Sequence, residues 1–527
     1  MSNLSKKEAF QKFKTKLDEN FPVATADTLG GVKVGTNLSI ADGVLSATDT
    51  TYTAATTTTD GLMSASDKAK LAELESTVEE LNEYIAVDGI VGLQVDYENK
   101  TFKRLASAAN LTAGADFDQF TMYGGRKRCN VADDGTINAW YGDDGYVEDG
   151  SNGQVMVYQP KFYYKVTPLK LEPIDTGIGY HLRKANYYVS ATQYSGFKLH
   201  PAFYDANGNE VDYILDSAYE GSLWDADGGT DGTGSYILDD SQIMDATADK
   251  LCSIAGAKPA SGLTQSLTRT NAELLAQNRG TEWHGDLIKI ESATQLLMII
   301  ELGTMNTQTA IGNGVVSITD NTSYNCSSLT GSTSSLGNAT GQATETINEI
   351  GGTETTYTAN GKVAVSWRGK ENPWGNIWEN VHGANIWGDG SMGGGQPYIC
   401  NDFNFVESKN SDNYEAAGFT VTNANGYISA MGYSATCDWL LVASECLGNS
   451  ALPVGDYTWV TANLNGYRIA LLGGRWPDGG NAGAFYWYLG NGVSSRARNI
   501  GARPVYVPIK DSTVYKAAIE SWKAKAA

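Results

Sequence analysis

The sequence predicts a mainly α+β chain in three stages: an N-terminal helix, a fibrous β and coiled-coil shaft, and one large domain with irregular loops and insertions. Three observations predict it. An apolar stripe at helical spacing opens the chain. A second helix carries its apolar residues on a narrow seam. Across the 527 residues, 59 Gly, 29 Tyr and 12 Trp accompany only 19% charged residues, which describes short strands, many turns and aromatic-rich loops.

Each element follows from local pattern. In the segment 1–21, Phe10, Phe13, Leu17 and Phe21 recur at three- and four-residue steps, as on one face of a helix. A lone helix of this length is marginal in water, so the stripe is expected to pack on another copy or on an assembly partner. The segment 22–65 turns to Thr, Ala, Gly and Asp. Leu29-Gly30-Gly31-Val32-Lys33-Val34 and Leu38 to Leu45 alternate apolar with small or polar residues, and Asp42-Gly43 signals a hairpin. Its large residues are too few for a core within one chain. In the segment 66–88, Leu71, Leu74, Val78, Leu81 and Ile85 form an a/d seam, the coiled-coil pattern.

The segment 89–510 reads as one large unit. Strands are expected at 92–97, 155–166 and 186–190, and a helix at 292–302. The Ser/Thr/Gly/Asn-rich stretch 303–360 is too long for a structureless loop, so hairpins or a lobe are expected there. A helix over 512–525 closes the chain within the segment 511–527.

Charge and cysteine usage narrow the function. The formal charge is 38 minus 60, or −22. The densest basic run, Arg126-Lys127-Arg128, reads as a solvated turn, so nucleic acid and anionic membrane are poor partners. The N-terminus shows no apolar signal-peptide core. The longest apolar run, 296–300, is too short to span a bilayer, and synthesis in a cytoplasm without membrane insertion is expected. Cysteines at 129, 252, 326, 400, 437 and 446 form no C-x-x-C pair. Reduced thiols are expected rather than a disulfide framework or a zinc site. Asp225-Ala226-Asp227-Gly228-Gly229-Thr230-Asp231-Gly232 is spaced like a cation loop but lacks the bidentate Glu, and a Gly-rich turn is expected. No metal and no cofactor are expected. His181, His200, His284 and His382 are isolated in sequence and read as structural.

Two stretches carry resemblances. Thr25 to Gly35, Leu38-Ser39-Ile40 and Thr59-Asp60-Gly61-Leu62-Met63-Ser64 resemble shaft segments of phage tail fibres, which implies a trimer. Gln159 to Val166 and Ser195 to Phe203 resemble a core found in tail proteins of gut phages. Asn372 to Val381, Tyr467 to Trp476 and Ile500-Gly501-Ala502-Arg503 resemble, in order, elements of the C-type-lectin-like fold of formylglycine-generating enzymes. That family's reactive cysteine has no counterpart here. Leu471, Leu472, Arg475 and Pro477 stand in its neighbourhood, and the closest upstream thiol is Cys446. No catalytic residue is expected.

The segment 473–503 resembles the variable region of retroelement-diversified proteins, of which phage tropism determinants are examples. There, selected Asn codons are altered while a small and apolar scaffold persists. An Asn codon ending in C, changed at its adenines, reaches Arg, Tyr, Asp, Gly or Ser but not Trp, so Trp476 and Trp487 read as scaffold. Phe485, Trp487 and Leu489 alternate with Tyr486, Tyr488 and Gly490, so one set is expected inside and the other outside. The expected ligand-binding set is Arg475, Asp478, Tyr486, Tyr488, Gly490, Asn491, Ser494, Ser495, Arg496 and Arg498, with a paratope's composition. Asn481 and Asn499 are expected to bond the loop backbone.

The resemblances imply a non-enzymatic receptor-binding protein of a phage tail. Its partners would be a host cell-surface protein or glycan and other tail proteins, and it would act in the virion, outside the cell that made it. Two alternatives stay open: a structural tail or baseplate protein without receptor binding, and a tail-associated glycan-degrading or formylglycine-generating-type enzyme.

Overall fold

The computed structural model describes residues 6–20, 38–41, 44–47, 56, 63–72, 89–230, 232–240, 244–264, 266–407, 412–449 and 454–526. They are mostly β, with 32% strand against 17% helix. Among them there is no long coiled-coil shaft. The expected mainly α+β chain, with a fibrous shaft ahead of a lectin-like domain, is thus corrected to a predominantly β architecture. Segments that read as loops pair into short strands because their buried N–H and C=O groups need partners.

The chain divides into two compact units, Met1–Ile85 and Ala86–Ala527. In the first, Lys6–Asn20 is the expected helix, and Phe10 is exposed. Leu38–Ala41 and Val44–Ala47 pair antiparallel with Ala41 opposite Val44, the two-residue hairpin that Asp42-Gly43 signals. Residues 65–72 are helical, and the Ser64 hydroxyl accepts the N–H of Asp67 at 3.1 Å as the cap. The seam positions Leu74, Val78, Leu81 and Ile85 lie outside the described residues.

Three large sheets dominate the second unit, beside two three-stranded sheets and one two-stranded sheet. A seven-stranded sheet centres on Tyr163–Pro173 and Tyr180–Ser190, with Ile90–Asp96 and Thr101–Ala106 beyond them. A six-stranded sheet runs Trp283–Gly285, Pro504–Tyr506, Tyr213–Ser217, Gln154–Pro160, Lys127–Val131 and Ile137–Trp140. An eight-stranded sheet centres on the long strand Trp378–Asp389, paired with Gln396–Cys400 on one side and Asn465–Leu472 on the other. The strand expected over 155–166 is two strands in different sheets, divided at Lys161-Phe162.

The helix Ile288–Leu302 is buried all round, with only Lys289 and Leu302 outside the buried set. It packs against Ile90–Asp96, Tyr180–Ser190 and Trp378–Asp389, and its buried Glu291 and Glu301 are paired with Lys370 and Arg368. The closing helix Thr513–Ala526 docks on the six-stranded sheet. Trp522 stacks on Tyr158 at 5.5 Å, Tyr515 stacks on Tyr213 at 5.6 Å, and the Trp522 indole N–H donates to the Gly125 carbonyl at 2.9 Å. No described helix is long and apolar enough to cross a membrane.

Within 303–360 the helix Thr307–Ile311 and the hairpin Thr346–Ile350 with Thr353–Tyr357 form, as a lobe was expected to. A separate minor core gathers Val315, Ile318, Cys326, Ala343, Ala364, Ile377 and Trp476.

The main core encloses a network of charge that the sequence does not announce. Arg126 and Arg128 are 2% and 0% exposed, which corrects the solvated turn. Arg126 donates to Asp216 Oδ2 at 3.0 Å, Gln159 Oε1 at 2.9 Å and the Arg368 carbonyl at 3.2 Å. Lys370 meets Asp216 Oδ1 at 3.1 Å and also Glu291. Arg503 pairs with Glu379 and donates to the carbonyls of Glu371 and Asn372, both at 2.8 Å. Asp286 and Glu220 lie in the same interior at 0% exposure. Local charge density reads as solvated surface, but these charges find their partners far along the chain.

Three cations, Arg126, Lys370 and Arg503, face five carboxyls, Asp216, Glu220, Asp286, Glu291 and Glu379, so neutrality requires two protons. Burial supplies them, pushing the Asp286 carboxyl well above the usual carboxylate range and Glu220 up to about 8. Glu220 therefore keeps a proton when folded that it loses when unfolded, between its ordinary 4.5 and about 8. Its contribution to stability is present below that window, falls as pH rises through it, and is gone above about 8. Glu220 Oε2 accepts from the side-chain amides of Asn376 at 2.8 Å and Asn372 at 3.1 Å, which a glutamine oxygen can also do. Glu220→Gln is expected to be close to the parent in stability at pH 5. At pH 9 it should exceed the parent by a few kcal/mol, since each pH unit across that window is worth about 1.4 kcal/mol. Urea unfolding at both pH values checks this, and a pH-independent difference would contradict it.

Candidate binding face

The face grows from a turn between two paired strands. Asn465–Leu472 and Trp487–Leu489 run antiparallel with Leu471 opposite Tyr488 and Leu472 opposite Trp487. The loop between them starts with Gly473 and Gly474 at φ of +91° and +86°, a conformation that glycine adopts without strain. Buried Asp456 organises its far side by accepting the Phe485 N–H at 2.7 Å. A Cβ on Gly483 would stand 2.1 Å from Asp456 Oδ1, so only glycine lets the backbone pass.

The lobe braces this loop. The Trp476 carbonyl accepts the Ile318 N–H at 2.9 Å, and the Val316 carbonyl accepts the Gly479 N–H at 2.9 Å. The Gln308 amide donates to the carbonyls of Gly479 at 2.9 Å and Ala482 at 2.7 Å. The loop's backbone is thus fixed by residues from 307 to 320, outside the segment itself.

The alternation divides the two faces of the sheet. Phe485, Trp487 and Leu489 are 0%, 0% and 1% exposed and belong to the main core. Tyr486 and Tyr488 pack on the opposite face, in a cluster with Trp378, Ile469, Leu471 and Ile500. Trp476 is fully buried in the lobe's core, as a scaffold residue should be.

Several expected ligand contacts need correction. Tyr486 is 2% exposed, because Trp378 and the cluster cover the sheet's second face and leave only its margin to solvent. Arg475 and Arg498 are held by Asp320. Arg498 meets both Asp320 oxygens at 2.9 Å, and Arg475 lies 3.7 Å from Asp320 and 3.2 Å from Asp478. The guanidinium of Arg475 stacks over Trp378 at 4.8 Å. Burial raises the Asp478 carboxyl to about 6, against the opposing pull of Arg475. Asn481 accepts the Tyr427 hydroxyl at 2.7 Å rather than bonding backbone. Asn499 Oδ1 is buried without a hydrogen-bond partner.

The remaining expected residues lie at or near the surface. Ser494 and Arg496 are exposed, and Tyr488, Gly490, Asn491 and Ser495 are half-buried. Arg496 reaches the Ser266 hydroxyl at 3.0 Å. A Cβ on Gly490 would press on the Tyr488 ring at 3.1 Å, so the glycine leaves that ring uncovered on one side.

The structure adds residues that sequence reading missed. From Trp378, a chain of rings runs to Tyr488 at 5.0 Å, to Trp459 at 6.3 Å, to Tyr457 at 5.1 Å and to Tyr427 at 5.2 Å. Trp459 is 36% exposed. Strand Tyr457–Val460 pairs parallel with Trp487–Leu489, Trp459 opposite Tyr488, which sets the two aromatics side by side. The alternation Tyr457-Thr458-Trp459 was a signal in the sequence. The pairing that joins it to Tyr488 was not. Asp320, which gathers both arginines, carried no sequence signal.

Chemically the face offers aromatic surface, a stacked guanidinium and hydroxyl groups. The six cysteines are free and buried, and burial pushes Cys446 up to about 12, so it is no activated nucleophile. Among the described residues no group of His, Cys, Asp and Glu is arranged to hold a metal ion. No protein-family model matches the chain, and no curated protein matches its sequence.

Proposed function

We propose that this chain is a receptor-binding protein of a phage tail, attaching the virion to a host cell through the face centred on Trp459 and Tyr488. The observation that supports it most is the half-exposed chain of aromatic rings beside a braced loop, with the Arg475 guanidinium stacked over Trp378 at one end. Aromatic and Arg side chains in rigid surroundings are the residues that dominate binding interfaces. The bracing means that little loop ordering is lost on binding. Substitutions at the half-exposed and exposed positions 488, 490, 491 and 494–496 would alter the surface without entering the main core, as a diversified recognition segment requires. Assembly into several copies, a trimer by the resemblance, would raise modest single-site affinity. Its partners are then a cell-surface protein or glycan and other tail proteins.

The experiment is direct. Labelled full-length protein is titrated onto a panel of bacterial strains, and the bound strains are challenged with the parent phage. Saturable binding that blocks phage adsorption is the expected result. No binding to any strain that the phage infects would refute the reading in favour of a purely structural role.

A further inference from the structure

The buried charge network contains a nucleophile that nothing above uses. Lys370 is 0% exposed, on the short strand Lys370–Glu371, and its amine contacts Glu291 on the helix Ile288–Leu302. Asp216 is the other carboxyl within reach, at 3.1 Å. Arg126 also grips Asp216, at 3.0 Å, which holds it as a carboxylate and makes it a poor acceptor for an amine. Glu291 forms no ion pair with an arginine among the described residues. Asp286, two residues before the helix, is fully buried with both carboxyl oxygens lacking a hydrogen-bond partner. An unpartnered buried carboxyl is costly, and here it faces Lys370 and Glu291 electrostatically.

An amine, a contacting carboxyl and a spare carboxylic acid, all kept from water, are the components of an amide-forming site. We infer that Lys370 and Glu291 join as an intramolecular isopeptide bond, with Asp286 as the acid that assists its formation. Burial opposes the charge of Lys370, but Asp216, Glu291 and Asp286 hold its ammonium in the charged form, so the step begins only when that ammonium passes one proton to the contacting Glu291 carboxylate, leaving a neutral amine and a neutral acid. The Nζ lone pair attacks Cδ of Glu291, and a Nζ–Cδ bond forms. Asp286 donates its proton to the departing hydroxyl, the Cδ–O bond breaks, and water leaves. Asp286 then recovers a proton from the nitrogen. The balance is one ammonium and one carboxylate converted to one amide and one water, with no oxidant or cofactor. The product also removes one positive and one negative charge from the interior, so that Arg126 with Asp216 and Arg503 with Glu379 remain as one-to-one pairs.

Contact geometry of this kind converts a bimolecular condensation into an intramolecular one, the condition under which rate gains are greatest. The bond would tie the central helix to the strand that leads into Trp378–Asp389, and so anchor the sheet carrying the binding face.

The test is the intact mass of the purified full-length protein, measured denatured and reduced. The expected mass is one water below that of the sequence, and the full sequence mass overturns the proposal. Lys370→Arg and Glu291→Ala are expected to restore full mass whether or not they fold well, because mass is read on the denatured chain. A water loss that persists in Lys370→Arg, as from a succinimide at an Asp-Gly pair, also overturns it. Protease digestion of the parent should release a branched peptide joining Lys370 to Glu291, and a branch to Asp216 would reject the assignment to Glu291. Asp286→Asn is expected to leave most of the chain unjoined, and full closure in that variant would reject the role of Asp286.

Discussion

Arg503→Ala is expected to destabilise the large unit by about 3–5 kcal/mol, the usual cost of stranding one partner of a buried ion pair. The residue is 0% exposed. Its removal leaves the Glu379 carboxylate unpaired and two carbonyls, of Glu371 and Asn372, without their donor. It also lies between two sheets. Ile500–Gly501 pairs parallel with Trp378–Asp389, while Pro504–Tyr506 pairs with Tyr213–Ser217 and Trp283–Gly285. The loss should depend on pH. Burial already raises the Glu379 carboxyl, and Arg503 opposes that rise. Without the arginine the folded chain takes up a proton that the unfolded chain releases, so the variant should be less impaired at pH 5 than at pH 8. Denaturant midpoints of parent and variant at the two pH values check both statements. A deficit under about 1 kcal/mol would mean that the pair is not what closes the sheets.

Trp459→Ala with Tyr488→Ala is expected to weaken binding to host cells roughly a hundredfold, since buried aromatic anchors at interfaces each contribute about 2 kcal/mol or more and neighbouring ones are not fully additive. Trp459 is 36% exposed and Tyr488 half-buried, so stability should fall by no more than about 1–2 kcal/mol. Tyr486→Ala provides the contrast. That ring is buried against Trp378, Ile469, Leu471 and Ile500, so its loss should cost about 3–5 kcal/mol of stability. Titration of labelled protein onto receptive cells, beside urea unfolding, separates the two. Unchanged binding by the Trp459/Tyr488 double variant would place the recognition surface elsewhere.

Much of the local structure was legible in sequence. The hairpin joining Leu38–Ala41 to Val44–Ala47, the 292–302 part of the central helix, the closing helix, the 186–190 end of the Tyr180–Ser190 strand and the alternation through Phe485, Trp487 and Leu489 all rest on neighbours a few residues apart. The scaffold role of Trp476 was read instead from the resemblance to a diversified segment. The binding face was legible only in part. Tyr488 and the exposed Ser494 and Arg496 lie where alternation and composition put them. Tyr486 does not, because alternation says only which side of a sheet a residue faces. Whether that side is wet depends on what covers it, and here Trp378, from a strand some hundred residues earlier, covers it.

The sequence by itself determined the periodicities, the turn positions, and the absence of a thiol near Gly473-Gly474. These are short-range steric and hydrophobic preferences, written in consecutive residues. Only the tertiary structure decided that the described residues are mostly β, that Arg126 and Arg128 are interior, and that Asp320 and Trp459 belong beside Arg475 and Tyr488. Strand pairing and charge pairing join residues far apart in the chain. Their free energy comes from desolvation and hydrogen-bond satisfaction in one shared interior, and no local window of sequence contains it.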